Sequence, residues 1–253
     1  MDVLVGCCGL AGMKLEDYAR RFPVLEVQST FYRLPRASTA ERWKKVAPNL
    51  TFTLKAFQGI THPADSPTWR RSRKELEGVD PAEVGLLRVS GFTKRAWDET
   101  DQVAEIVGAK IVVVQLPPKY DCTSQNISKL RAFLSAVSTR RTPAIEFRHT
   151  SWFGRLREAR AAIAPWDGIL VTDPLKVTPP DQPLQYHRLH GSDGLVNYRH
   201  RYTSEELERI GRSVRGKKAY VLFNNLAMKE DAESLLRMLG EGPQTKREGL
   251  GLN

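Results

Sequence analysis

Hydrophobic and polar positions alternate along this chain in short blocks. Residues 3–8 form an apolar, partly β-branched run, and Gly6, Gly9 and Gly12 punctuate its second half and the turn after it. Residues 14–22 carry Leu15, Tyr18, Ala19 and Phe22 at helical spacing, and residues 24–27 read as a second strand behind Pro23. A helix is expected over 38–46, with Ser38 and Glu41 spaced as a capping box, and a third strand over 51–57. Residues 58–98 are the least regular stretch, because Pro63, Pro67 and Pro81 deny long helices early in it. Turns of helix are expected over 82–89 and over 92–107; a connection of this length after a strand is expected to overhang a pocket.

From Lys110 onward the alternation is regular. Strands are predicted at 111–116, 144–147, 169–172, 184–189 and 219–223, and helices at 124–137, 153–164, 204–214 and 229–239. The Pro-rich connection 174–183 is too short for a full helix. Eight strand candidates separated by helices, in a chain of 253 residues, favour the α/β class and a TIM-type (β/α) barrel of eight strands over an open sheet. The expected organisation is one barrel over 1–242 with a long insertion near 58–98, then a polar tail at 243–253.

Composition narrows the function classes. No stretch approaches the roughly 20 apolar residues of a membrane span, and no basic leader precedes the first strand, so a cytoplasmic protein without membrane partners is expected. Cys7, Cys8 and Cys122 are too few for a disulfide framework and match no zinc pattern; the adjacent pair is read as small buried packing. The formal net charge of +10 favours an anionic or phosphorylated partner, nucleic acid included. Basic residues gather at Arg70, Arg71, Arg73 and Lys74, over 155–160, and around Arg199 and Arg201.

In a parallel barrel the C-terminal strand ends converge on one face, so polar residues stationed there share a mouth. Period-two geometry places Glu146 and Arg148 on one face of the fifth strand as an ion pair, with His149 in the following loop as a general acid or base or a plain loop residue. Tyr186, Arg188 and His190 share a face of the seventh strand, His187 turns toward the helices, and Gly191 leaves room for a ligand. Lys55 and Glu26 sit inside otherwise apolar strands, where each charge requires a partner: Lys55 pairs with Glu26 or Glu146, or meets a bound phosphate or carbonyl. Asp173 binds a metal, holds a histidine or caps a turn; Asn224 and Asn225 suit recognition, and Tyr32 and Trp152 offer stacking faces or core packing. The cofactor stays open. Glu26, Glu146, His149, Asp173 and His190 would support a single divalent metal ion, whereas Arg148, Arg188 and Lys55 beside them repel a cation and favour a metal-free anion site.

Seven segments carry a resemblance: Gly6 to Gly9, Val27-Gln28-Ser29-Thr30-Phe31-Tyr32-Arg33-Leu34-Pro35, Phe52-Thr53-Leu54-Lys55-Ala56, Gln115-Leu116-Pro117-Pro118, Glu146-Phe147-Arg148-His149-Thr150-Ser151-Trp152, Arg188-Leu189-His190-Gly191 and Phe223-Asn224-Asn225. With these the chain resembles the domain-of-unknown-function-72 (YecE-like) family over nearly its full length. The resemblance implies a TIM-type barrel whose motif residues line the mouth, and a likeness of fold to the endonuclease IV and xylose isomerase barrels. The histidine and carboxylate set of endonuclease IV is not reproduced as a whole.

The leading expectation is an enzyme on a phosphorylated or nucleic-acid substrate, most concretely a phosphodiester hydrolase. Arg148, Arg188 and Lys55 would hold the anion, Glu146 or His149 would activate water, and His190 would protonate the leaving oxygen. The alternatives are an isomerase or lyase on a small sugar or carboxylate, with Lys55 and Glu146 shuttling protons, and a nucleic-acid-binding barrel without turnover.

Overall fold

The computed structural model describes residues 2–240 apart from 138, 139, 192, 193 and 195. Eight parallel strands close on themselves in sequence order: β1 (Val3–Cys8), β2 (Val24–Val27), β3 (Thr51–Lys55), β4 (Ile111–Gln115), β5 (Thr142–Glu146), β6 (Ile169–Thr172), β7 (Gln185–Leu189) and β8 (Ala219–Phe223). The register runs Cys8 beside Glu26, Lys55 beside Val113, Gln115 beside Glu146, and Arg188 beside Leu222. The helices are α1 (Leu15–Ala19), α2 (Ala37–Val46), α3 (Gln58–Thr61), α4 (Gly91–Val107), α5 (Ser124–Ala136), α6 (Leu156–Ile163), α7 (Ser204–Val214) and α8 (Met228–Met238).

Strand alternation divides the core in two. Val5, Leu25, Phe52, Leu54, Val112, Val114, Ile145, Val221 and Phe223 join the layer between strands and helices. Val24, Ile111, Val113, Ala144, Ile169, Val171, Tyr186 and Leu222 fill the barrel interior. The same inward rows end in charge at the C-terminal side, with Glu26, Lys55, Glu146, Arg188 and His190 all buried there. Cys7 faces the helices and Cys8 the interior, both buried free thiols. His187 is buried on the outward face of β7 beside Thr172.

Local capping departs from the sequence pattern in two places. Ser38 lies inside α2, whose first turn follows Arg36 with no side-chain cap; capping boxes instead open α4, where Ser90 and Thr93 bond reciprocally, and α7, where Thr203 and Glu206 do. Residues 82–89 are not helical beyond a 3-10 turn at Pro81–Glu83, because left-handed Leu86 and Leu87 let their amides reach Thr61 and Ile60 carbonyls instead. The insertion is tied to the mouth by Arg33 to Glu75 at 2.9 Å and Lys119 to Asp65 at 3.1 Å. The tail expected at 243–253 lies outside the described residues. Among the described residues no helix is long and apolar enough to cross a membrane.

Candidate functional site

Arg188 stands at the centre of the mouth with its side chain fully buried. Its Nη2 lies 2.9 Å from Glu26 Oε1 and its Nη1 pairs with Glu146 Oε2. The guanidinium also donates to Gln115 Oε1 at 3.2 Å and to Gln28 Oε1 at 3.5 Å. Below it, Tyr186 donates to Glu26 Oε2 at 2.8 Å and meets Thr53 Oγ1 at 2.8 Å. Both Glu26 oxygens are therefore occupied, since Gln28 Nε2 also donates to Oε1.

Glu146 is held on both oxygens as well. Its Oε1 lies 3.0 Å from Arg148 Nη2 and 3.1 Å from His190 Nε2, while Oε2 faces Arg188. Burial opposes its ionisation, but Arg148 and Arg188 outweigh burial and hold the carboxyl well below its ordinary range. His190 Nδ1 lies 3.0 Å from Asn224 Nδ2, and its Nε2 lies 3.1 Å from Glu146 Oε1 and 2.9 Å from Arg148 Nη2. Burial, reinforced by Arg148, pushes His190 down to about 3, so the ring is neutral at physiological pH. The two groups sit in one lattice of ion pairs and hydrogen bonds, in which Glu146 is charged and His190 is the neutral member.

Lys55 behaves differently. It pairs with neither Glu26 nor Glu146, because arginines already saturate both carboxylates; its Nζ instead sits 3.7 Å from the centroid of the Phe31 ring. Thr30 fixes this arrangement by donating to the Lys55 carbonyl at 2.7 Å and to the Val27 carbonyl at 2.9 Å, which locks the turn carrying Phe31 against β3. Lys55 is buried, with 8% of its surface exposed. Burial, followed by repulsion from Arg188, lowers it from 10.5 to about 7.

A cavity of about 50 Å³ opens beside this cluster between the ends of β5, β6 and β7, lined by Glu146, Arg148, Thr172, Asp173, Lys176 and His190 among others. Asp173 accepts from the Leu175 amide at 3.0 Å and lies 3.6 Å from Lys176 Nζ, so it caps its turn as well as lining the cavity. Burial raises its pKa. Arg148 presents a buried Nε with no hydrogen-bond partner among the described residues. The space fits a few waters or one phosphate or carboxylate group.

The family model for the protein of unknown function DUF72 matches residues 9–250. The chain belongs to this family. The UPF0759 protein YunF of Bacillus subtilis (strain 168) is 27% identical over 258 residues, covering 89% of this chain and 85% of that protein. A DUF72 family protein of Enterococcus faecalis V583 superposes with TM-score 0.70 at 18% identity, covering 94% of this chain and 95% of that one. A DUF72 family protein of Thermotoga maritima MSB8 gives 0.66 at 20%, covering 95% and 100%. Endonuclease IV from Thermus thermophilus shares the fold more distantly, with TM-score 0.54 at 13% identity over 94% and 97%.

The described residues of this mouth do not offer the donor set of a multi-zinc barrel. Among the described residues no three His, Cys, Asp or Glu side chains gather as a metal-ion group. Glu26 and Glu146 are bound by arginines, and both His190 nitrogens are engaged. Several strand-end candidates also fall outside the Arg188 cluster. His149 caps the 3-10 turn that follows β5, with Nδ1 accepting from the Ser151 amide at 3.2 Å. Asn225 is buried and donates to the His200 carbonyl at 2.7 Å and to Asp231 Oδ2 at 2.6 Å, which joins the β8 end to α8. Trp152 is fully buried, stacked on Phe147 at 3.8 Å and donating Nε1 to the Tyr120 carbonyl at 2.8 Å, so it backs the cavity wall and presents no free face. Tyr32 lies half-buried on the rim with the Arg71 guanidinium 5.1 Å from its ring. Gly191 has φ +88°, and a Cβ there would meet the Asn197 carbonyl oxygen at 2.3 Å; the chain's own loop takes the room assigned to a ligand.

Two members of the mouth escape the strand-end pattern. Gln28 sits one residue past β2 on its inward row, where the alternation from Val24 through Glu26 would have found it. His62 comes from the insertion and packs edge-on against Phe31 at 5.0 Å, with its Nδ1 2.8 Å from Thr61 Oγ1. Nothing in its local sequence marks it. Burial, followed by repulsion from Lys55, lowers it to about 3.

Proposed function

We propose that this protein is an enzyme acting on a small anionic molecule, a phosphorylated or carboxylate-bearing sugar or acid, with Lys55 as the group that exchanges a proton with it. One observation carries this: among the described residues Lys55 is the cation of the mouth with no carboxylate partner, beside Arg148 and Arg188, which share two carboxylates between them. Three cations against two carboxylates leave one positive charge for a ligand to neutralise. A lysine near 7 is both a competent acid and a competent base at neutral pH. The small cavity beside Arg148 suits the anionic head group, and neutral His190 supplies no competing charge change.

Phosphodiester hydrolysis on nucleic acid is the second reading. It is favoured by the exposed Arg70, Arg71, Arg73 and Lys74 on the insertion, one of which reaches Tyr32 at the rim. The endonuclease IV likeness is one of fold and does not choose between the two. Calorimetric titration distinguishes them. Small phosphorylated and carboxylated compounds are expected to bind at sub-millimolar to millimolar concentration with a stoichiometry of one, and to lose affinity in Arg148→Gln. Binding confined to oligonucleotides, steeply salt-dependent and abolished by neutralising Arg70, Arg71, Arg73 and Lys74, would replace the first assignment with the second.

A further inference from the structure

Carbonyl compounds are the substrate class that fits Lys55 best: we infer that the Lys55 amine is a nucleophile that forms an imine with an aldehyde or ketone bearing an anionic group. This rests on the small-anionic-substrate assignment and adds the bond that the lysine makes. A lysine that only held an anion would gain from staying fully charged, and a lysine that only buttressed the barrel would be paired. Lys55 is neither. It projects from the last position of β3 into the mouth, and no carboxylate or carbonyl among the described residues reaches Nζ. Its contact is the face of Phe31, which supports the side chain without consuming the nitrogen lone pair when the amine is neutral. Arg188 and Arg148 provide like charge nearby, which favours the neutral, nucleophilic form.

The step balances without an external oxidant or reductant. The Lys55 nitrogen lone pair attacks the carbonyl carbon while a proton passes from nitrogen to oxygen, giving a carbinolamine. The carbon–oxygen bond then breaks, one water leaves, and a carbon–nitrogen double bond remains. Protonated, that imine draws electrons from the adjacent carbon, which assists the proton transfer or bond cleavage expected of an isomerase or lyase. The anionic part of the same molecule would lie toward Arg148 and the small cavity.

The test is reductive trapping on the full chain. The protein is incubated with glyceraldehyde 3-phosphate or unphosphorylated glyceraldehyde and sodium cyanoborohydride, and modified lysines are mapped by peptide mass spectrometry. Lys55 is expected to label at least about tenfold faster than exposed Lys44 or Lys119 at neutral pH. Its labelling rate should rise through a midpoint near pH 7, and inorganic phosphate should slow it for the phosphorylated probe. Lys55→Met should lose that adduct while retaining a cooperative melt and the slow labelling of the surface lysines. Labelling of Lys55 no faster than of surface lysines, with phosphate still binding, overturns the imine and leaves the anionic-substrate assignment standing. Fast Lys55 labelling that phosphate does not affect keeps the nucleophile and removes the anion site.

Discussion

Replacing Lys55 with methionine keeps most of the aliphatic stem and removes the amine. A fall from 10.5 to about 7 means that the folded protein disfavours the ammonium by about 5 kcal/mol, at roughly 1.36 kcal/mol per tenfold change. Lys55→Met should therefore be more stable than the parent by up to about 5 kcal/mol at pH 6, all of which titrates away between about 7 and 10.5. The sign follows from proton binding. Below pH 7 both folded and unfolded chains carry the proton and the full cost is present. Between about 7 and 10.5 the unfolded chain holds a proton that the folded chain has lost, so parental stability climbs with pH. The advantage of the variant should therefore shrink steadily over that interval and vanish above it. Urea unfolding of both proteins at pH 6, 8 and 10 measures it, and taking the difference between them cancels the titration of shared groups. A difference that does not change with pH, or a variant less stable at pH 6, would refute the claim that an unpaired ammonium is held in the mouth.

Arg188→Met leaves Glu26 and Glu146 buried without their shared partner and is expected to cost about 3–5 kcal/mol in urea unfolding. Because Glu146 is depressed below its ordinary 4.5, the stability it contributes is full above that value and is lost as pH falls below it; acid unfolding of the parent should steepen there, and less so in Glu146→Gln. His190 should show no ring titration between pH 5 and 8 by NMR, since it is lowered to about 3; a midpoint near 6 would contradict the neutral ring in the lattice. Gly191→Ala, at φ +88° and facing the Asn197 carbonyl, should lose upwards of about 2 kcal/mol in thermal or urea melts.

The strands were legible because each is an apolar run bounded by breakers, and the structure places all eight within two residues of the pattern at either end. The Glu146–Arg148 pair and the shared face of Tyr186, Arg188 and His190 followed from period-two geometry alone. Which side chains meet across the barrel did not. Closure and stagger bring Glu26 of β2 to Arg188 of β7 and leave Lys55 of β3 to an aromatic ring, and no local spacing encodes that encounter. Side chains just past the strand ends were ambiguous for a related reason: His149 and Asn225 satisfy backbone or helix partners in their own loops, a need as pressing as any ligand's. His62 was hidden because an irregular insertion carries no periodicity from which to read direction.

One guanidinium touches residues from β2, β4 and β5 while itself belonging to β7. It works as a belt drawn across the diameter of the rim. Widening the ring of strands would strip two buried carboxylates of their counter-charge at once, so breathing of the barrel wall is costly. Under the proposed function a guest would therefore enter between the flanking turns, with the wall serving as a rigid frame.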